Sequence, residues 1–183
     1  VISTGTELKV YRGDVDPDEP ADLTISGMQE KGMHYPLRYG YSLVGVVVKV
    51  GEGVDAEEWL GRRVFAFSPH SSVVVAPTSA LMPVPDGISD EDAAFLPSVE
   101  TAVSLAMAAA PLLGERVAVV GQGLTGLLTG AVLRAANVDV TLIDVSPVRL
   151  RAAKKFIPEA SLFNPSTGAG ESSSGGAQKN GDF

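Results

Sequence analysis

The sequence contains no cysteine in 183 residues. It can therefore form no disulfide, thiolate zinc site, iron–sulfur cluster or cysteine nucleophile. A reducing compartment, cytoplasmic or organellar, is the expectation that fits. Histidine is nearly as scarce, with two residues, so imidazole chemistry is confined to His34 and His70. Basic charge is also short: 14 Lys and Arg stand against 22 Asp and Glu, for a net charge of -8. Nucleic-acid binding needs a basic face, and the densest basic pair, Lys154-Lys155, falls on an expected helix as a solvated face. Long apolar runs are missing too. Val117 to Leu133 is free of charge but is broken by Gly121, Gln122, Gly123, Thr125, Gly126 and Thr129 and closed by Arg134. A membrane span takes about 20 mostly apolar residues. Nucleic acid and membrane are set aside as partners, and a small-molecule substrate is expected.

What is present is a globular composition, 45% hydrophobic and 20% charged. Asp14 to Pro20 is acidic and proline-containing and reads as a surface loop. Leu43 to Val50 is a β-branched run stopped by Gly51-Glu52-Gly53. Arg63 to Phe67 and Ser72 to Ala76 read as further strands. Ala80 to Pro85 reads as an edge piece, because its prolines cannot donate to a ladder. Short strands with Gly/Pro punctuation predict a small barrel-type β domain.

The texture changes at Ser89. Ser89-Asp90-Glu91-Asp92 offers a cap and an acidic first turn. Helical segments then run to about Ala110 with a break near Pro97. Arg116 to Val120 is a predicted strand, Leu124 to Ala136 a helix, Val138 to Ile143 a strand and Pro147 to Phe156 a helix. This alternation predicts an α/β unit with a parallel sheet. The expected fold class is thus α/β plus β. The expected boundaries are 1–108 for the β-rich domain, 109–160 for a partial parallel sheet and 161–183 for a disordered Gly/Ser-rich tail.

The most informative motif is Gly121-Gln122-Gly123-Leu124-Thr125-Gly126. It follows the apolar strand Val117 to Val120 and opens a helix. Leu124, Leu127, Leu128, Ala131, Val132 and Ala135 form the predicted buried stripe of that helix. Gly121 permits the tight turn, Gly123 lets backbone approach a pyrophosphate, and Gly126 lets the helix pack closely. Free amides at the start of the helix, among them those of Leu124 and Thr125, favour phosphate. Asp144 lies 21 residues after Gly123, where a carboxylate accepts hydrogen bonds from ribose hydroxyls. It would repel a 2′-phosphate, so NAD(H) is expected over NADP(H). Arg149, on the next helix, is expected at the surface. A ligand-free glycine-rich turn is the alternative.

Several segments resemble the medium-chain dehydrogenase/reductase superfamily over residues 1–160. Gly5-Thr6-Glu7 resembles the Gly-Thr/Ser-Asp element of its GroES-like domain. Tyr35-Pro36 and Gly40 to Val47 resemble the segment that carries Gly-His-Glu in zinc-type members. Gly61-Arg62-Arg63-Val64 resembles a Gly-Asp-Arg-Val turn. Leu96-Pro97 with Thr101-Ala102 resembles the start of the helix beside the nicotinamide, which adds Thr101 to the cofactor residues. Gly114 to Val117 leads into the glycine-rich loop. The resemblance implies a GroES-like β-barrel-type domain followed by a partial Rossmann sheet, NAD(H)-dependent hydride transfer on an alcohol, carbonyl or enone, and homo-oligomers among full-length relatives. It also implies that the opening strands of the first domain and later strands of the second are not in this chain, which is expected to be a truncated form.

The departures from that pattern imply a zinc-independent branch. Thr4 stands where zinc members place Cys, Tyr41 where they place His, and Ser42 where they place Glu; a later ligand falls near Ser98. No zinc is expected, since a catalytic zinc takes three protein ligands of suitable type. Ser3 to Glu7 is also similar to the bacteriochlorophyllide a dehydrogenase branch, which oxidises a hydroxyethyl group on a tetrapyrrole. Tyr41, Thr4 and His70 are the candidate catalytic residues, with Thr6 as a further substrate contact. Each has an ordinary alternative: Tyr41 fills a ligand's volume, Thr4 and Thr6 cap a turn, and His70 is a loop residue. Glu100 either orients substrate or pairs with Arg116. A non-catalytic dinucleotide binder and an inactive fragment remain open as functions.

Overall fold

The β-branched run beginning at Leu43 finds its partner in the next apolar segment. β1 (Leu43–Val46) and β2 (Arg63–Ala66) pair antiparallel, with Val44 opposite Phe65, and β3 (Met82–Pro83) adds to the other edge of β2. This computed structural model describes residues 2–20, 25 and 32–171. The chain divides into two compact units, residues 1–97 and 98–183. The division falls ahead of the boundary expected between 108 and 109. The intervening helix carries Ala106, which packs against the core of the second unit.

In the first unit, α1 (Thr6–Arg12) precedes the sheet, and α2 (Ala56–Trp59) lies between β1 and β2. Asp55 caps α2 by accepting from the amides of Glu57 and Glu58. A 3-10 turn at Thr78–Ala80 leads into β3. Ser89 caps α3 (Asp90–Ala93) through the amide of Asp92, as its acidic first turn predicts. Arg63 ties the sheet to this helix, donating to Asp90 Oδ1 at 2.8 Å and to the Ile88 carbonyl at 2.7 Å.

The expected barrel is not closed: the described strands form an open three-stranded sheet. Two strand expectations are corrected. β1 ends at Val46 instead of Val50. Residues 72–76 form no strand. Val73 and Val75 are exposed, and the Ser71 hydroxyl donates to the Val73 carbonyl at 2.7 Å, a local bond that competes with a ladder. The proline-bearing piece at 80–85 pairs only over Met82–Pro83, at the sheet edge.

The second unit is built on a sheet in the order β4 (Arg116–Val120), β5 (Asp139–Ile143), β6 (Ser161–Asn164), β7 (Ala169–Glu171). The first three strands run parallel, and β7 returns antiparallel. α4 (Leu96–Ala109) starts beside Pro97, where the predicted break falls. α5 (Leu124–Ala135) and α6 (Pro147–Phe156) are the crossover helices. Ser146 caps α6 and Pro147 occupies its first turn, where a missing amide hydrogen costs nothing. Val140 and Leu142 of β5 are fully buried, and Leu133, Leu150, Ala153, Ile157, Ala160 and Leu162 close around them.

Two further expectations are corrected here. Residues 161–171 are not a tail. Leu162 pairs in register with Leu142, and Asn164 is buried, donating to the Val145 carbonyl and accepting from the Ser166 amide. The Gly/Ser content that predicted disorder lies mostly after this stretch, and residues 172–183 are outside the described ones. The buried stripe of α5 is also rotated. Thr129, Gly130 and Leu133 are buried, whereas Leu124 and Ala135 are exposed. Gly130 fits this face: a Cβ there would lie 2.8 Å from Leu142 Cδ2, so the bare position lets the helix press on β5.

Candidate functional site

The glycine-rich loop joins β4 to α5 in three steps. Gly121 has φ of +90°, a left-handed conformation that suits glycine, and its amide donates to the Ile143 carbonyl at 2.8 Å. Gly123 is the N-cap residue of α5 and brings no side-chain cap. The first intrahelical bond runs from the Leu127 amide to the Gly123 carbonyl. The amides of Leu124, Thr125 and Gly126 precede that bond and have no partner within the helix. At Gly126 a Cβ would overlap the Gly121 carbonyl oxygen, so the first turn of α5 lies directly on the loop. Gly126 was expected to serve helix–sheet packing; a Cβ there would also touch Val119 of β4, and Gly130 brings the same helix against Leu142 of β5.

Asp144 follows the end of β5 and is 6% exposed. Its Oδ2 accepts from the Gln122 amide and its Oδ1 from the Ser146 amide, each at 2.7 Å. Arg149 is exposed, as expected, yet brings Nη1 to 3.6 Å from Asp144 Oδ2. Burial works to raise the pKa of Asp144. The amides of Ser146 and Gln122, with the Arg149 guanidinium, outweigh it and hold the carboxyl below the usual aspartate range. Asp144 is therefore an anion tied to the loop. Two amides leave part of a carboxylate's acceptor capacity unused.

Gln122 was not singled out in the sequence. It is 1% exposed. Its Nε2 donates to the Val119 carbonyl at 2.7 Å and more weakly to the Ile143 carbonyl at 3.4 Å, so it pins the ends of β4 and β5 together. Its Oε1 is buried without a partner. A polar side chain between two glycines at a strand end was the available signal.

Gly121, Gly123, Leu124, Thr125, Gly126 and Asp144 are thus brought together at one corner of the second unit. The corner fits a diphosphate: amides are open at the helix start, and a Cβ on Gly123 would meet nothing within 4 Å. Thr101 lies exposed on α4 of the same unit. Glu100 and Arg116 are both exposed and form no ion pair among the described residues.

The candidate catalytic residues belong to the first unit. Thr4 is exposed in a turn, and Thr6 opens α1. Tyr41 is half-buried, set edge-on to Tyr39 with centroids 6.5 Å apart, and packs with Tyr39 and Met33 around Ile25. Ser42 donates to the Ala94 carbonyl at 2.7 Å. His70 meets Glu7, with Nε2 2.8 Å from Oε1. Glu7, quoted in the sequence only as part of a motif, is a partner that sequence reading missed. Among the described residues no three of His, Cys, Asp and Glu are grouped to hold a metal. Thr4, Tyr41 and Ser42 are not a zinc donor set, so these three described positions do not fit a catalytic zinc. No described helix is long and apolar enough to cross a membrane.

No family model matches the sequence. Sorbitol dehydrogenase 1 of Saccharomyces cerevisiae is 35% identical over a match covering 66% of this chain and 43% of that enzyme. The solved 2R,3R-butanediol dehydrogenase of Bacillus subtilis superposes with a TM-score of 0.67 at 26% identity, covering 90% of this chain and 53% of that one. The quinone oxidoreductase of Thermus thermophilus, solved also with NADPH, gives a TM-score of 0.53 at 30% identity, covering 74% of this chain and 43% of that one. The chain spans less than half the length of the curated relatives it matches first. Together, the relatives and the solved neighbours support the medium-chain dehydrogenase/reductase superfamily for this chain.

Proposed function

We propose that the chain binds NAD(H) in preference to NADP(H) and belongs to a zinc-independent oxidoreductase acting on an alcohol, a carbonyl or an enone. One observation carries the reading: the glycine-rich loop leaves the first-turn amides of α5 open while Asp144 stands as a fixed anion beside them. The amides of Leu124, Thr125 and Gly126 would hold the diphosphate, and the remaining acceptor capacity of Asp144 would take ribose hydroxyls. The same charge disfavours a 2′-phosphate. When bound, the nicotinamide supplies the hydride acceptor for oxidation or the hydride donor for reduction.

Zinc independence is supported by the side chains at the ligand positions. Thr4, Tyr41 and Ser42 offer neutral hydroxyls in place of thiolate, imidazole and carboxylate, and the Ser42 hydroxyl donates to the Ala94 carbonyl. Because the chain is similar to a sorbitol dehydrogenase and a butanediol dehydrogenase, sorbitol and 2,3-butanediol are the first substrates to try in a panel. The likeness of Ser3 to Glu7 to the bacteriochlorophyllide branch adds a tetrapyrrole bearing a hydroxyethyl group.

The experiment is a NADH titration of the full chain by fluorescence, followed by turnover of that panel and of quinones with and without a chelator. Saturable NADH binding, with turnover indifferent to the chelator, is expected. A chain that binds no NADH contradicts the reading, and turnover abolished by the chelator contradicts its zinc-independent part. A second reading, a non-catalytic dinucleotide binder, is favoured by Thr4, Tyr41 and Ser42, which stand where zinc-type members of the resembled family place ligands. NADH binding without turnover of any panel member is its signature.

A further inference from the structure

The second unit holds a cleft of about 620 Å³ between α6 and the hairpin of β6 and β7. Small-molecule sites usually measure about 300–1,000 Å³. Neither the glycine-rich loop nor Asp144 lines this cleft. Its helical wall is Pro147, Leu150, Arg151, Lys154 and Lys155, which recur at the three- and four-residue spacing of one helix face. Arg149, which meets Asp144, lies off that face. The cleft and the dinucleotide corner therefore use different sides of α6.

The floor is apolar and fixed: Leu150 and Leu162 are buried and belong to the core of the unit. The rim is basic. Lys154 is tied to the Ala160 carbonyl at 3.3 Å. Arg151 and Lys155 are exposed and enter no ion pair among the described residues. They stand four residues apart on the helix, where like charges repel. The C-terminal end of a helix favours the lysines of its last turn, but Arg151 lies ahead of that turn. No acid lines the cleft among the described residues, although the chain carries a net charge of -8. Thr167, on the opposite wall, accepts from the Ala169 amide at 3.2 Å, which leaves its hydroxyl hydrogen to donate.

We propose that this cleft binds a small organic anion, a carboxylate carried on an apolar body. The body lies on Leu150, Leu162 and Pro147. The carboxylate sits between Arg151 and Lys155, whose spacing lets both reach one group, and the planar guanidinium can hold it through two parallel bonds. Binding converts a repulsive pair of cations into a shared ion site. An apolar floor under a charged rim recognises both halves of such a ligand, so neither half alone suffices. The site shares no residue with the dinucleotide corner and does not depend on the oxidoreductase reading above.

The test is calorimetric titration of the full chain with 2-naphthoate. Two controls separate the halves of the probe: 2-naphthamide keeps the rings without the charge, and acetate keeps the charge without the rings. Saturable binding of 2-naphthoate is expected, with Kd below about 1 mM and at least about tenfold tighter than either control. The double variant Arg151→Gln, Lys155→Gln should weaken it by about tenfold or more. Arg12→Gln removes one exposed cation from the first unit and should leave it unchanged. No saturable binding of 2-naphthoate, equal binding of 2-naphthamide, or undiminished binding in the double variant overturns the proposal. An equal loss in Arg12→Gln overturns it too, since net charge would then account for the effect. Displacement of 2-naphthoate by NADH would place the probe at the dinucleotide corner and overturn a separate site.

Discussion

The Asp144 carboxylate accepts the amide hydrogen of Gln122 at 2.7 Å, so the acid that follows β5 is tied to the loop that follows β4. The parallel register makes this possible: Val120 lies beside Ile143, and both strands end at the same level. Removing the charge therefore disturbs the loop as well as any ligand.

This tie has a pH signature. The folded pKa of Asp144 lies below its unfolded value of about 3.9. Its stabilisation is fully present above the unfolded value and is lost as pH falls through the folded one. Asp144→Asn should lower Tm at neutral pH, and the difference from wild type should shrink below about pH 4. Melting curves from pH 2 to 8 check this. A constant difference at all pH values would contradict it.

Gly126 admits no side chain. A Cβ would overlap the Gly121 carbonyl, which is backbone and moves only if the loop moves. Gly126→Ala should cost about 1–3 kcal/mol of stability and weaken NADH binding by at least about tenfold, or ~1.4 kcal/mol. Chemical denaturation and fluorescence titration measure the two effects separately.

Gln122 joins the strand ends through the carbonyls of Val119 and Ile143. Gln122→Leu keeps most of the volume but removes the side-chain donor from the Val119 carbonyl, while the Ile143 carbonyl keeps the Gly121 amide. A loss of about 1–3 kcal/mol is expected, read from urea midpoints. No loss would show that the amide is a passive filler, a result made conceivable by its own unpartnered Oε1.

Leu142 stands at the centre of the second unit, fully buried against Gly130 of α5. Leu142→Ala should destabilise by about 2–5 kcal/mol, the range for a core leucine truncated to a cavity. Equilibrium unfolding measures it. A change under about 1 kcal/mol would mean that the site collapses on the missing atoms.

Local chemistry made the second unit largely legible. Pro147 opens a helix where the structure has one, as Ser89 does in the first unit, and the β-branched runs at 116–120 and 139–143 are strands. The loop was readable because Gly121 and Gly126 answer backbone demands. Contacts between distant segments were not readable. Nothing local tells that Glu7 reaches His70, that Gln122 turns inward, or that Gly130 lies on the buried face of α5. Composition misled at 161–164, where one leucine and one buried asparagine suffice to dock a strand on β5. Apolar character misled at 72–76, where no described partner strand is paired with it.

The central claim is that a dinucleotide lies on the first turn of α5 with its ribose against Asp144. Fluorescence titration of NADH and NADPH against the wild type and Asp144→Ala tests it most directly. The account predicts that the wild type prefers NADH by about tenfold or more, ~1.4 kcal/mol, and that Asp144→Ala erases the preference mainly by losing NADH affinity. Equal affinity of the wild type for both cofactors, or an undiminished preference in Asp144→Ala, would contradict it.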